Sequence, residues 1–228
     1  MTGRFHLSLA CVLSLAVVAG CSKDPAVEAQ EYLASGDAYH AEQKLDAAVI
    51  EYRNAVRVKP DLAEAHYKLA RIYETQQDPV SAYGSYARAA DLTPENMDAQ
   101  LKAGSLLLAA GEYAEARSRA EFALRSDPDN PAVHILLGNA LAGLNETGRA
   151  IRQMEQAIAL DPASAPAWSA LGAARFIAGN RAAAGEAFEQ AVELAPDSID
   201  ARLALANYQW AAGDSATAEQ TLRTALAM

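Results

Sequence analysis

Five prolines, Pro60, Pro94, Pro128, Pro162 and Pro196, stand 34 residues apart each time, in the contexts VKPD, LTPE, SDPD, LDPA and LAPD. Proline lacks a backbone donor and clashes with the preceding helical turn, so it belongs between helices or in a helix's first turn. A break that returns at a constant interval marks copies of one structural unit. Cutting at this period divides the chain into 29–62, 63–96, 97–130, 131–164, 165–198 and a last unit, 199–228.

Other positions keep the same phase. Ala48, Ala82, Ala116, Ala150, Ala184 and Ala218 form one column, and Ala55, Ala89, Ala123, Ala157, Ala191 and Ala225 a second. A third holds Gly36, Ala70, Gly104, Gly138, Gly172 and Ala206 inside a helical pattern. Glycine costs a helix about 1 kcal/mol against alanine, so its recurrence there predicts close approach of another helix. Tyr52, Tyr86, Met154, Phe188 and Leu222 supply the bulk between the alanine columns, and Ala120 interrupts that series. Tyr39, Tyr73, Leu107 and Leu141 follow the small residues three later, until Arg175 and Gln209 depart. Midway through their units, Gly111, Gly179 and Gly213 follow apolar helical runs, where a left-handed residue ends a helix, and Pro79 suits the first turn of the next. Each unit therefore reads as two antiparallel helices.

These units resemble tetratricopeptide repeats, 34-residue helical hairpins with small, small and proline signatures. Tyr32-Leu33-Ala34-Ser35-Gly36, Trp168-Ser169-Ala170-Leu171-Gly172 and the alanine columns carry the resemblance over residues 29–228. It departs where His66, Gln100, His134 and Arg202 replace the frequent first aromatic. The fold it implies is all-α, a right-handed superhelical solenoid of about six helix-turn-helix hairpins stabilised by nearest-neighbour contacts. Solenoids usually close with a polar cap, yet the last predicted helix carries Leu222, Ala225 and Leu226. That end is expected to meet a partner, a copy of itself or further chain.

The first twenty residues follow different rules. Arg4 precedes a 13-residue run, Leu7 to Ala19, apolar except for Ser8 and Ser14. Spanning a bilayer takes about 20 residues, so this is a signal-peptide core and not a span. Val18-Ala19-Gly20-Cys21 resembles the bacterial lipobox, which implies cleavage after residue 20 and lipidation of Cys21. Ser22, in place of the aspartate that retains many lipoproteins at the inner membrane, points to the outer membrane facing the periplasm. Residues 21–28 then form a short linker, and Ser22 to Glu28 spans at most about 24 Å if extended. With Cys11 inside the leader and Cys21 lipidated, no thiol is left for catalysis or a thiolate metal site.

Nothing in the rest of the chain points to an enzyme. Among four histidines, His66 and His134 share a slot with a whole unit between them, which precludes a common metal, and no HExxH, phosphate-binding glycine loop or GxSxG elbow occurs. Asp127, Asp129, Asp161 and Asp197 recur beside the prolines and read as caps and turn formers. A net charge of −10 argues against nucleic acid, and no cofactor is expected.

Binding is the remaining function, with a protein or peptide as partner. In the family the first helix of each unit lines a concave groove. The resemblance carries this over to a basic patch of Lys68, Arg71 and Lys102, to the apolar residues Ile135, Leu136, Phe176, Leu203 and Trp210, and to Asn139 and Asn207 between them. That pattern suits a segment acidic at one end and apolar at the other. Alternatively, the three cations pair with Glu64, Glu74 and Asp98 as solvated helix charges. The whole resembles a lipid-anchored scaffold for an envelope or secretion complex, similar to the repeat lipoproteins of exopolysaccharide and exosortase-type sorting. Secretin pilotins and regulators of periplasmic enzymes are the alternatives.

Overall fold

The computed structural model describes residues 23–227. The lipobox, Cys21 and the leader of residues 1–20 lie outside the described residues. Among the described residues, twelve α-helices form six hairpins: α1 (Pro25–Ala41) with α2 (Leu45–Val58), α3 (Ala63–Thr75) with α4 (Pro79–Leu92), and α5 (Met97–Ala110) with α6 (Tyr113–Ser126). The remaining three pair α7 (Pro131–Gly143) with α8 (Thr147–Leu160), α9 (Ala165–Ile177) with α10 (Arg181–Leu194), and α11 (Ile199–Ala212) with α12 (Ser215–Leu226). The hairpins stack into a superhelical solenoid whose substantial helix contacts all lie within one hairpin or between neighbours.

The first helix begins within the stretch read as a short linker, residues 21–28, whose upper bound of about 24 Å assumed an extended chain. Pro25 opens α1, and Asp24 caps it by accepting the Ala26 amide at 2.8 Å. A proline is suited to that first turn, so residues 25–28 are helical and shorten the reach between Cys21 and the array.

Every first helix ends in the same way. The residue at position 43, 77, 111, 145, 179 or 213 adopts a positive φ, and the amide after it reaches back five residues, as in Lys44 N to Tyr39 O at 2.9 Å and Asp214 N to Gln209 O at 2.9 Å. Three of the six are the glycines singled out by the sequence; the others are Gln43, Gln77 and Asn145. The turn geometry is thus constant while only half of its residues suit it sterically.

Both alanine columns are buried along their whole length. The small column does what its composition predicts. A Cβ added to Gly36 would lie 2.4 Å from the Tyr52 ring, and at Gly172 it would lie 2.9 Å from Phe188, each bulky residue belonging to the partner helix of the same hairpin. In the third hairpin, where Ala120 leaves no bulk, Leu136 from the following hairpin fills the space, 2.4 Å from where a Gly104 Cβ would sit.

The apparent departures at the first-aromatic slot share one job. His66 donates from Nε2 to the Pro60 carbonyl at 3.0 Å, His134 likewise to Pro128 at 2.9 Å, and Trp168 from Nε1 to Pro162 at 3.1 Å. Gln100 donates to the Ala90 and Pro94 carbonyls, and Arg202 to that of Pro196. Four chemically different side chains thus satisfy a carbonyl that the helix-breaking proline leaves exposed. Of the four aspartates beside the prolines, Asp127 accepts from the Asn130 amide at 2.9 Å and Asp161 from the Ala163 backbone at 3.1 Å, within turns. Helix N-caps with side-chain bonds come instead from Asp24, Asp78, Asn96, Asn130, Ser164, Asn180, Ser198 and Asp214.

Candidate functional site

The first helices line the concave side, and its two halves differ because of what stands at a few repeating positions. In the N-terminal half, long polar side chains bridge successive hairpins. Lys68 reaches back to both carboxylate oxygens of Asp37 at 2.7 Å, and Tyr52 donates to the same group at 2.7 Å. One unit later the arrangement returns: Lys102 donates to Glu74 at 2.6 Å and Tyr86 to Glu74 at 2.7 Å. Tyr67 donates to Asp98 at 2.6 Å.

These bonds set the local electrostatics. Hydrogen bonds from Lys102 and Tyr86 hold the Glu74 carboxyl below its ordinary value. Partial burial pushes Asp37 up, but the bonds from Lys68 and Tyr52 outweigh it and the net shift is downward. Burial, together with these carboxylates, pushes the Tyr52 and Tyr86 hydroxyls well up, so both stay protonated donors.

The expected basic patch is therefore largely neutralised. Lys68 pairs with Asp37 and Glu64, and Lys102 with Glu74, while Asp98 is taken by Tyr67 and not by a cation. Of the three, Arg71 is the one whose guanidinium has no hydrogen bond or ion pair among the described residues.

In the C-terminal half the bridging side chains shorten. The positions of Lys68 and Lys102 become Ala170 and Ala204, and that of Arg71 becomes Ala173 in α9. Helices α5, α7, α9 and α11 pack side by side, and the small residues leave a groove of about 660 Å³ across α7, α9 and α11. Ile135, Pro166, Phe176 and Ile177 give it an apolar surface, and Asn139 from α7 and Asn207 from α11 also line it. Neither asparagine amide has a hydrogen-bond partner among the described residues. Below the groove, Tyr208 meets Phe176 edge-on at 5.8 Å and Phe188 at 5.3 Å, and its hydroxyl donates to the Arg181 carbonyl at 2.8 Å.

The structure sorts the apolar residues expected to line the groove. Ile135, Asn139, Phe176 and Asn207 come together there. Leu136 does not: it is 3% exposed, committed to the space over Gly104. Leu203 and Trp210 are exposed but do not line the groove. They stand 34 residues after Ser169 and Phe176, on the flank of α11 that corresponds to the α9 flank facing α11. At the C-terminal end Leu226 is exposed, whereas Ala225, expected to be uncovered, is buried.

Tyr208 went unseen in the sequence, although a signal existed. The large column fails at Arg175 and Gln209, and in both cases an aromatic stands one position away, Phe176 and Tyr208. The displaced pair forms the groove's aromatic floor.

A family model described as tetratricopeptide repeat matches residues 107–174 and 175–228, and one described as TPR repeat matches 36–77. The chain belongs to the tetratricopeptide repeat family. A search of curated proteins found no match. Among solved structures, PilW, titled a widely conserved type IV pilus biogenesis factor, is similar at 20% identity and a TM-score of 0.65, covering 85% of this chain and 90% of its own. YrrB, titled a TPR protein with an unusual peptide-binding site, matches at 21% identity and 0.63, covering 76% and 89%. MamA from Desulfovibrio magneticus RS-1, residues 41 to the end, matches at 22% and 0.63, covering 73% and 94%. At these identities the likeness shows the shared tetratricopeptide solenoid. Members of the family are scaffolds that bind protein or peptide partners. No group of His, Cys, Asp or Glu that could hold a metal occurs among the described residues.

Proposed function

We propose that this tetratricopeptide scaffold is lipid-anchored in a bacterial envelope and holds a partner protein by a largely apolar segment seated across α7, α9 and α11. The groove is the observation that carries the reading. It is open and apolar, and it presents two unpartnered primary amides, each able to donate and accept toward a peptide backbone. Apolar side chains of the segment would lie on Phe176 and Ile177, and its backbone would bond to Asn139 and Asn207. The polar N-terminal half, already bonded to itself, acts as a rigid arm that sets the groove's distance from the anchor.

The anchor rests on Val18 to Cys21, and the helix that begins at Pro25 would place the array beside the membrane at the periplasmic side of the outer membrane. A photo-crosslinking residue at Ala173, an exposed position in the groove, should give a discrete adduct with an envelope protein. Cys21→Ser should lose incorporated fatty acid and move the chain to the soluble fraction. No adduct at Ala173, or membrane attachment unaltered by Cys21→Ser, would remove the corresponding half of the reading.

A further inference from the structure

The concave face carries its charge unevenly. Of its three cations, Lys68 and Lys102 are bound to Asp37, Glu64 and Glu74, which leaves little free positive charge to recognise an acidic segment. The apolar groove has one charged lining residue, Asp200 in the first turn of α11. Its carboxylate has no hydrogen bond or ion pair among the described residues. The whole chain is acidic, with a net charge of −10. An unpaired, solvent-exposed carboxylate at the edge of an apolar groove favours a cation beside it and disfavours an anion, by the modest amount typical of surface charge pairs.

We infer that the segment held by the groove is apolar and basic, with a lysine or arginine placed to pair with Asp200. This rests on the groove being the partner site, and it reverses the preference for an acidic partner that the cation pattern suggests in the sequence. Apolar side chains supply affinity, and the pairing with Asp200 sets the segment's direction and register. The acidic field of the protein steers such a segment inward, with an on-rate that falls as salt rises.

A display library of random decapeptides, selected on the full chain, tests both levels separately. Clones are scored against the native protein, against Ala173→Trp, which fills the groove, and against Asp200→Asn; both positions are exposed. The expected clones bind the native protein, fail on Ala173→Trp, combine apolar residues with lysine or arginine, and lose about threefold in affinity on Asp200→Asn. Groove-dependent clones that are neutral or acidic, or indifferent to Asp200→Asn, would overturn the basic preference and leave the groove standing. Clones indifferent to Ala173→Trp would remove the groove itself, and this inference with it.

Discussion

Leu136 packs over Gly104, so that a Cβ at Gly104 would fall 2.4 Å from its Cδ2 atom. This contact joins two neighbouring hairpins, where the first, fourth and fifth hairpins make the corresponding contact internally, Gly36 with Tyr52, Gly138 with Met154 and Gly172 with Phe188. The third hairpin lacks that bulk at Ala120, and its neighbour supplies it. Leu136→Ala should cost about 2–5 kcal/mol by opening a cavity. Adding Ala120→Met to Leu136→Ala should recover part of the loss, because methionine at that column fills the same space from within, as Met154 does beside Gly138. Urea melts of the two variants would check this; no recovery would mean the sites are not spatially equivalent.

The six left-handed turns offer a cleaner comparison, since backbone geometry is constant and residue type varies. Gln43 and Gln77 hold φ near 60°, where a side chain is strained. Gln43→Gly and Gln77→Gly should each raise stability by about 0.5–1 kcal/mol, and Gly111→Ala should lower it by about 1 kcal/mol. Thermal melts of the three variants separate the signs.

The donor slot predicts tolerance by hydrogen-bonding capacity and not by resemblance. Trp168→Phe keeps the ring but loses the N–H that reaches the Pro162 carbonyl, and should cost about 1 kcal/mol. His134→Gln should be better tolerated than His134→Leu, because Gln100 already performs this task one unit earlier. Equal melting temperatures for the two His134 variants would contradict the shared role.

Acid sensitivity follows from the bridged carboxylates. Asp37 and Glu74 are held below their ordinary values of 3.8 and 4.5 in the folded chain. A depressed carboxyl stabilises the fold above its unfolded value, and the contribution is lost as pH falls through the folded one. The urea midpoint should therefore drop between about pH 5 and pH 3, and less steeply in a Lys68→Met, Lys102→Met double variant. Parallel profiles for the two proteins would show that these lysines do not hold the carboxyls down.

The sequence made the solenoid legible because its constraints are local and repeated. Prolines at a fixed period report the same break five times, two alanine columns and a small column each report one contact type six times over, and burial of the alanine columns follows directly. The concave face was less legible, since its chemistry depends on which side chain reaches which neighbour. The sequence leaves open whether Lys68 and Lys102 are free or paired with Glu64, Glu74 and Asp98; their placement decides for pairing with Glu64 and Glu74 and adds Asp37, 31 residues away, which no local spacing indicates. Leu136 looked like a groove residue because the consequence of Ala120 for the next hairpin involves a contact between units. Trp210 is the most exposed aromatic of α11, but it is Tyr208, two residues earlier, that packs on Phe176.

The most direct test of the central claim, that partner binding belongs to the apolar groove of α7, α9 and α11, is a quantitative capture from cross-linked cells expressing the full chain. Ala173→Trp, which obstructs the groove, is compared with Val80→Trp, on an exposed position of α4 outside it. The account predicts that an envelope protein enriched by the native chain is kept by Val80→Trp and lost with Ala173→Trp. Equal enrichment by both variants would contradict it and place recognition elsewhere on the solenoid.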